Sequence, residues 1–215
     1  KAGDFKAALH DLILKTIKEH KRIIFNGNGY DDSWVKEAEK RGLLNLKSTP
    51  EALQKILDEK NVSLFEKHGV YSKVELTSRF EIHNENYSKI INIEALTMID
   101  MVKKLYLPAG AKYAKFLADS VAVKKSVGAE DSYEADALKK VSSLTGKIYT
   151  QVQSLEKAVD EAGKIADAGK NALFYRNDVF AKMGELRESV DSLEGFVPSA
   201  EWPVPSYADL LFSVK

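Results

Sequence analysis

From Ser72 to Lys125 the chain offers one interruption to helical periodicity, Pro108, and a segment of that length sets the terms for everything packed around it. Ser72 followed by Glu75 fits the reciprocal capping pattern that opens a helix. The spacing predicts the longest helix from about Lys73 to Leu107. Its middle, Ile90 to Val102, is apolar on nearly every side, which predicts a helix at the centre of a bundle. Glu94 and Asp100 interrupt that oily stretch, so they are expected to be buried carboxylates. Burial would demand a cationic partner such as Arg79 or Arg176, because an unpaired buried charge costs several kcal/mol. The functional alternative is an acid/base couple in the bundle core. Pro108 is expected to kink or restart the helix, which then continues through Tyr113, Phe116, Leu117 and Val121 to about Lys125.

Shorter helices precede it. Asp4 caps a first one to His20, with Phe5, Leu9, Leu12, Ile13 and Ile17 on one face. Arg22–Phe25 reads as extended and runs into Asn26-Gly27-Asn28-Gly29, where paired Asn-Gly units favour positive φ and a sharp turn. With Tyr30, this loop is the candidate contact loop: a plain turn, or one lying against a ligand or a neighbouring subunit. It lacks dinucleotide and P-loop spacing, and no Lys-Ser/Thr follows. Asp31, Asp32 and Ser33 cap a helix that Gly42 stops. Pro50 opens another at its first position, and a short continuation from Val62 to Lys67 closes at Gly69.

After a polar loop, Ser126–Ser132, the residues Leu138, Val141, Leu144 or Thr145, Ile148, Val152, Leu155 and Val159 alternate steps of three and four. That is a heptad seam. A second seam uses Leu173, Phe174, Phe180, Met183, Leu186, Val190 and Leu193. The two predict an antiparallel hairpin over about 130–196, reversing near Gly169, with Gly184 at a close helix contact. Alternate prolines hold Glu201–Tyr207 extended. The extended tail is placed at 197–215, and its apolar end, Leu210-Leu211-Phe212, is expected to dock. The fold class is all-α: a helical bundle with a long central helix, a coiled-coil-like hairpin and a Pro-rich extended tail.

Composition narrows the function. The 32 basic and 32 acidic residues cancel, leaving no polybasic footprint for nucleic acid. Cysteine is absent, which removes disulfides, thiolate metal sites and cysteine nucleophiles. No apolar run approaches membrane-spanning length, so no membrane partner is expected and the chain reads as cytoplasmic. The N-terminus has no signal-peptide pattern and no initiator methionine, so further sequence is expected upstream of Lys1. His10, His20, His68 and His83 are scattered, and none forms a His-x-x-x-His pair. Glu81 and Glu85 flank His83 as a carboxylate-rich metal helix would, yet any charged helix does the same. No catalytic, cofactor-binding or metal-binding residue is assigned. The sequons at Asn61 and Asn86 fall in predicted helices and read as chance.

Three stretches carry a far more specific signal. The first is His20-Lys-Arg-Ile-Ile-Phe-Asn-Gly-Asn-Gly-Tyr30 with Trp34 and Glu37-Ala-Glu-Lys-Arg-Gly-Leu-Leu-Asn-Leu46. The second is Arg79-Phe-Glu-Ile82, Glu85-Asn-Tyr-Ser-Lys89 and Ile91-Asn-Ile-Glu-Ala-Leu-Thr-Met-Ile-Asp-Met101. The third is Glu201-Trp-Pro-Val-Pro-Ser-Tyr with Asp209-Leu-Leu-Phe212. In that order they closely resemble the C-terminal part of type III glutamine synthetases, over nearly the whole chain.

The resemblance implies a parent enzyme that condenses glutamate with ammonia at the expense of ATP, with Mg or Mn at the site. The metal-holding carboxylates and phosphate-binding arginines of such enzymes lie upstream, and no stretch here matches those motifs. Residues 1–47 then look like the C-terminal end of the catalytic domain, and 48–215 like a type-specific helical domain. The implied partners are the upstream catalytic domain and neighbouring subunits of a homo-oligomer, a dodecamer by resemblance. The rival reading is a stand-alone helical module whose seams bind a partner helix.

Overall fold

Helix signals in the sequence become helices almost everywhere. A computed structural model describes residues 4–213, and among the described residues every regular element is helical, with no strand. The chain divides into two compact units, Lys1–Lys47 and Ser48–Lys215, and each is described by itself.

In the first unit, α1 (Phe5–His20) starts at Asp4, whose carboxylate accepts from the Lys6 amide at 3.0 Å. No residue of α1 is buried. The expected extended stretch from Arg22 begins instead as a tight turn over Lys21–Ile23, closed by the Ile24 amide donating to the Lys21 carbonyl at 3.1 Å. Ile24 then takes extended backbone. Next, α2 (Asp32–Lys40) is capped by Asp31, which accepts from the Ser33 amide at 2.7 Å. Gly42, at φ +73°, ends it as a left-handed cap requires.

The second unit opens with α3 (Thr49–Leu53), Pro50 sitting in its first turn, followed by a tight 3₁₀ turn over Gln54–Leu57 and α4 (Glu59–Lys67). The capping box at Ser72 and Glu75 is formed and starts α5 (Lys73–Met101). At Pro108 the helix does not restart. The backbone passes through a five-residue π turn, Val102–Tyr106, and continues without a break into α6 (Leu107–Ser126). The wide turn, in which the Leu107 amide donates to the Val102 carbonyl, accommodates a ring that has no N–H and would crowd a carbonyl one turn back.

The hairpin follows as α7 (Ser132–Ala162), then α8 (Ala168–Phe174), a second π turn at Tyr175–Val179, and α9 (Phe180–Glu194). Along the α7 seam Val141, Ile148, Val152 and Leu155 are completely buried, with Leu138, Leu144 and Val159 packed at its margin. α7 lies against both α6 and α9, while α8 packs on α5. The reversal falls earlier than Gly169. Gly163 caps α7, Asp167 caps α8, and the Asn171 amide group donates to the Ala162 carbonyl at 2.7 Å to tie the turn together. Gly169 sits in the first turn of α8, where a Cβ would meet the Phe80 ring at 2.8 Å.

Three further expectations need correction. The segment Ile90–Val102 is not enclosed: Ile91, Ala95, Ile99 and Val102 are buried, but Ile90, Ile93 and Leu96 are 47, 64 and 49% exposed. An all-round apolar sequence records hydrophobicity, not which faces find a neighbour. Gly184 makes no close contact, since a Cβ there would have nothing within 4 Å. The close approach belongs to Gly110, where a Cβ would lie 2.7 Å from Thr145 Oγ1 and 3.0 Å from Leu193 Cδ2. Finally, the tail is only partly extended. Trp202 is buried against Tyr106, and Lys112 pairs with Glu201, but Ser206 and Asp209 form a capping box that starts α10 (Tyr207–Leu211). Leu210, Leu211 and Phe212 stay exposed rather than docking within the described chain.

Candidate interaction surfaces

The loop Asn26–Tyr30 rests on an aromatic base. The rings of Phe25 and Trp34 lie 4.1 Å apart between centroids, and the Arg41 guanidinium sits 5.8 Å from the Trp34 ring. Arg41 also donates to Glu37 at 2.6 Å and to the carbonyls of Arg22 and Ile24 at 2.7 and 3.2 Å. That cation holds the Glu37 carboxyl below its ordinary range. One side chain thus joins α2 to the turn that leads into the loop.

The loop's glycines work differently from expectation. Positive φ among the described glycines is confined to Gly42, Gly69 and Gly128. Gly27 is required for closeness instead, because a Cβ there would fall 2.6 Å from the Phe25 ring. Nothing within 4 Å would meet one at Gly29. The Asn28 side chain accepts from the Tyr30 amide at 3.1 Å, and Tyr30 projects fully exposed. The arrangement leaves the Tyr30 ring exposed at the end of the loop.

Glu94 and Asp100 are both exposed, which corrects the expectation that they are buried. Asp100 pairs with Lys104 one turn along. Neither proposed arginine partner is engaged with them: Arg79 lies over the Tyr71 ring at 4.4 Å and Arg176 over Phe180 at 5.1 Å. Glu85 pairs with Lys89 at 3.1 Å, and among the described residues no group of three His, Cys, Asp or Glu converges.

The polar residues that are buried escaped the sequence reading. They are Asn84, Ser88 and Ser189. The Asn84 amide donates to the Phe80 carbonyl at 2.8 Å, while Tyr175 O–H donates to Asn92 at 3.1 Å. A signal for the first two existed. Counting back from Ala95 by steps of four, three and four lands on Ile91, Ser88 and Asn84, all on the same helical face.

The most developed concavity lies between the π-turn end of α5 and helix α9. It is an open, mainly apolar groove of about 670 Å³. Ile93, Met98, Met101, Phe180 and Met183 line it, with Gly184 in its wall and Glu94, Arg187 and Asp191 among its polar groups. All three methionines of the chain are therefore in one groove.

Comparison with known proteins gives these surfaces a context. Residues 8–125 match the family model of the glutamine synthetase C-terminal domain. The chain is 36% identical over 217 residues to a glutamine synthetase of Butyrivibrio fibrisolvens, using 100% of this chain and 31% of that protein. It is 36% identical over 218 residues to the type-3 glutamine synthetase of Dictyostelium discoideum, at 99% and 30% coverage. A glutamine synthetase of Bacteroides fragilis (strain YCH46) is 27% identical over 213 residues, at 96% and 29%. The chain thus spans about 30% of the length of the curated relatives it matches. With more than half its residues inside the family model, the chain belongs to the glutamine synthetase C-terminal domain family.

Proposed function

We propose that the chain acts as the C-terminal helical portion of a glutamine synthetase, supporting the assembly of an enzyme whose active site lies upstream. The parent reaction is the condensation of glutamate with ammonia, driven by ATP with Mg or Mn bound in the catalytic domain. In this reading residues 1–47 complete the catalytic domain, and 48–215 form the helical domain that meets neighbouring subunits of a cytoplasmic homo-oligomer, a dodecamer in the type III pattern.

One observation carries the reading. Between residues 4 and 47 the only buried residue is Ala38, while Phe5, Leu9, Leu12, Ile13, Leu14 and Ile17 of α1 are 43 to 75% exposed. A helix whose continuous apolar stripe stays exposed within its own unit is built to be covered. In this reading an upstream domain of the same polypeptide covers it.

The test compares the intact protein with the 215-residue chain in an assay of glutamine formed from glutamate, ammonia and ATP. The intact protein is expected to turn over and the chain alone to be silent. Changing Leu12 and Ile13 together to aspartate in the intact protein should lower its assembled mass. Turnover by the chain alone, or an intact protein indifferent to the double substitution, would overturn the reading.

A further inference from the structure

Two asparagines of the chain, Asn26 and Asn28, stand directly before a glycine, and both lie in the exposed loop ahead of α2. Asn61, Asn84, Asn86, Asn92, Asn171 and Asn177 belong to helical segments, whose backbone bonding takes up the amide that follows. Asn45 precedes the branched side chain of Leu46. Asn26 and Asn28 thus differ from the rest in what decides whether a carboxamide can be attacked by its own backbone. That requirement is an unengaged, unhindered amide nitrogen at the next residue.

Gly29 supplies that nitrogen without obstruction. Its N–H donates to no group among the described residues, and a Cβ on it would meet nothing within 4 Å. Its φ is not positive, so neither backbone conformation nor packing requires a glycine there. The carboxamide beside it is held in place. Asn28 Oδ1 accepts from the Tyr30 amide at 3.1 Å, and the Asp31 amide closes the turn on the Asn28 carbonyl at 3.3 Å. A side-chain oxygen bonded to the amide two residues on arches over the nitrogen between them, and the bond draws electrons from the carboxamide carbon. At Gly27 the Phe25 ring stands 2.6 Å from the position of a Cβ and crowds the approach of Asn26. We propose that Asn28 is a site of spontaneous deamidation, converted to isoaspartate or aspartate through a cyclic imide with Gly29.

The Gly29 nitrogen gives up its proton to a base and attacks Asn28 Cγ. A new C–N bond forms, the bond from Cγ to the side-chain nitrogen breaks, and that nitrogen takes up a proton and leaves as ammonia. Water then opens the imide ring. Opening at the backbone carbonyl leaves the chain running through the side chain, as isoaspartate; opening at the other carbonyl gives aspartate. Water is consumed and ammonia released, with no oxidant, metal or enzyme required. Either product puts a carboxylate next to those of Asp31 and Asp32, and the isoaspartate form adds a carbon to the backbone just ahead of Tyr30. The step needs only water and the loop itself, so its failure would leave the enzyme reading untouched.

The test holds the folded intact protein in mildly alkaline buffer and samples it over weeks. Each sample is digested in acid, which stops the reaction, and mapped by mass spectrometry with isoaspartate separated from aspartate. Product at Asn28 is expected at least about tenfold above that at Asn45 or at any helical asparagine. The rate should rise with pH, since the attacking nitrogen must first lose a proton. Gly29→Ala preserves the fold, because its methyl group meets no atom, and should slow the reaction at Asn28 at least about tenfold by hindering the approach. Product at Asn28 no faster than at the helical asparagines overturns the proposal. So does product at Asn26 that outpaces Asn28, or a Gly29→Ala variant that reacts as fast as the parent.

Discussion

The ring of Tyr106 stacks on that of Trp202, with centroids 5.1 Å apart and planes 25° from parallel. Tyr106 is the last residue of the π turn ahead of Pro108, so the disturbance that proline imposes on the long helix is placed where the C-terminal tail returns to the bundle. Burial also pushes the Tyr106 phenol above its usual pKa, as expected of a ring shielded by an indole.

Trp202 is only 8% exposed and is the main aromatic anchor of the tail. Its replacement by alanine should therefore lower unfolding stability by about 3 kcal/mol. Urea denaturation followed by circular dichroism measures this directly. A loss below about 1 kcal/mol would mean that the tail is held by Lys112 and Glu201 instead.

Glu94→Ala and Asp100→Ala should each shift stability by less than about 0.5 kcal/mol, as exposed carboxylates do. Asn84→Asp is the contrasting change, nearly identical in shape but placing a charge at a site with no solvent access. It should cost about 3 kcal/mol or more at pH 7. The penalty should shrink as the solution is acidified, because protonation makes the introduced carboxyl neutral. Equal effects at the three positions would contradict the burial pattern described for α5.

These contrasts show where sequence reasoning reached. Periodicity and caps located the long helix, the Ser72–Glu75 box and the Val141–Leu155 seam, because each depends on neighbours within a turn or two. The placement of Glu94 and Asp100 depended on which face of α5 other helices cover, and no local pattern encodes that. Gly110 and Gly184 look alike in sequence, each a glycine within a helix. Only the packing of α6 against α7 and α9 tells that one is a contact and the other a gap. In the loop at Asn26, Asn-Gly pairing suggested left-handed backbone, whereas the nearby Phe25 ring is what excludes a side chain at Gly27.

Stability should fall toward both ends of the pH scale. On the acid side, Glu134 is held below the ordinary glutamate value chiefly by its bond to Lys124, which links α7 to α6, and Glu75 by the Ser72 cap. A carboxyl with a depressed folded-state pKa contributes stability above its unfolded value, and that contribution is lost as pH falls through the folded one. Glu134→Gln should therefore flatten the decline in urea midpoint between about pH 5 and pH 3. On the alkaline side, burial raises Tyr87, Tyr106, Tyr113 and Tyr175 above the usual 10.0. The unfolded chain then loses those protons first, so stability should drop as pH passes about 10. A urea midpoint flat from about pH 3 to pH 11 would contradict both arms.

The two helix glycines give a test of opposite signs. At Gly110 a methyl group would have to displace Thr145 Oγ1, whose hydroxyl donates to the Val141 carbonyl at 2.8 Å, and the completely buried Leu193. Overpacking of that kind costs about 1–3 kcal/mol, which exceeds the roughly 1 kcal/mol that alanine gains over glycine in a helix. Gly110→Ala should destabilise. At Gly184 the same methyl group meets no atom, so only the helix-propensity gain remains and Gly184→Ala should stabilise by up to about 1 kcal/mol. Thermal unfolding of the two variants at low concentration reads the difference directly, since they differ from the parent by one carbon each. Shifts of the same sign would mean that α9 does not leave the open wall from which the groove between α5 and α9 is made.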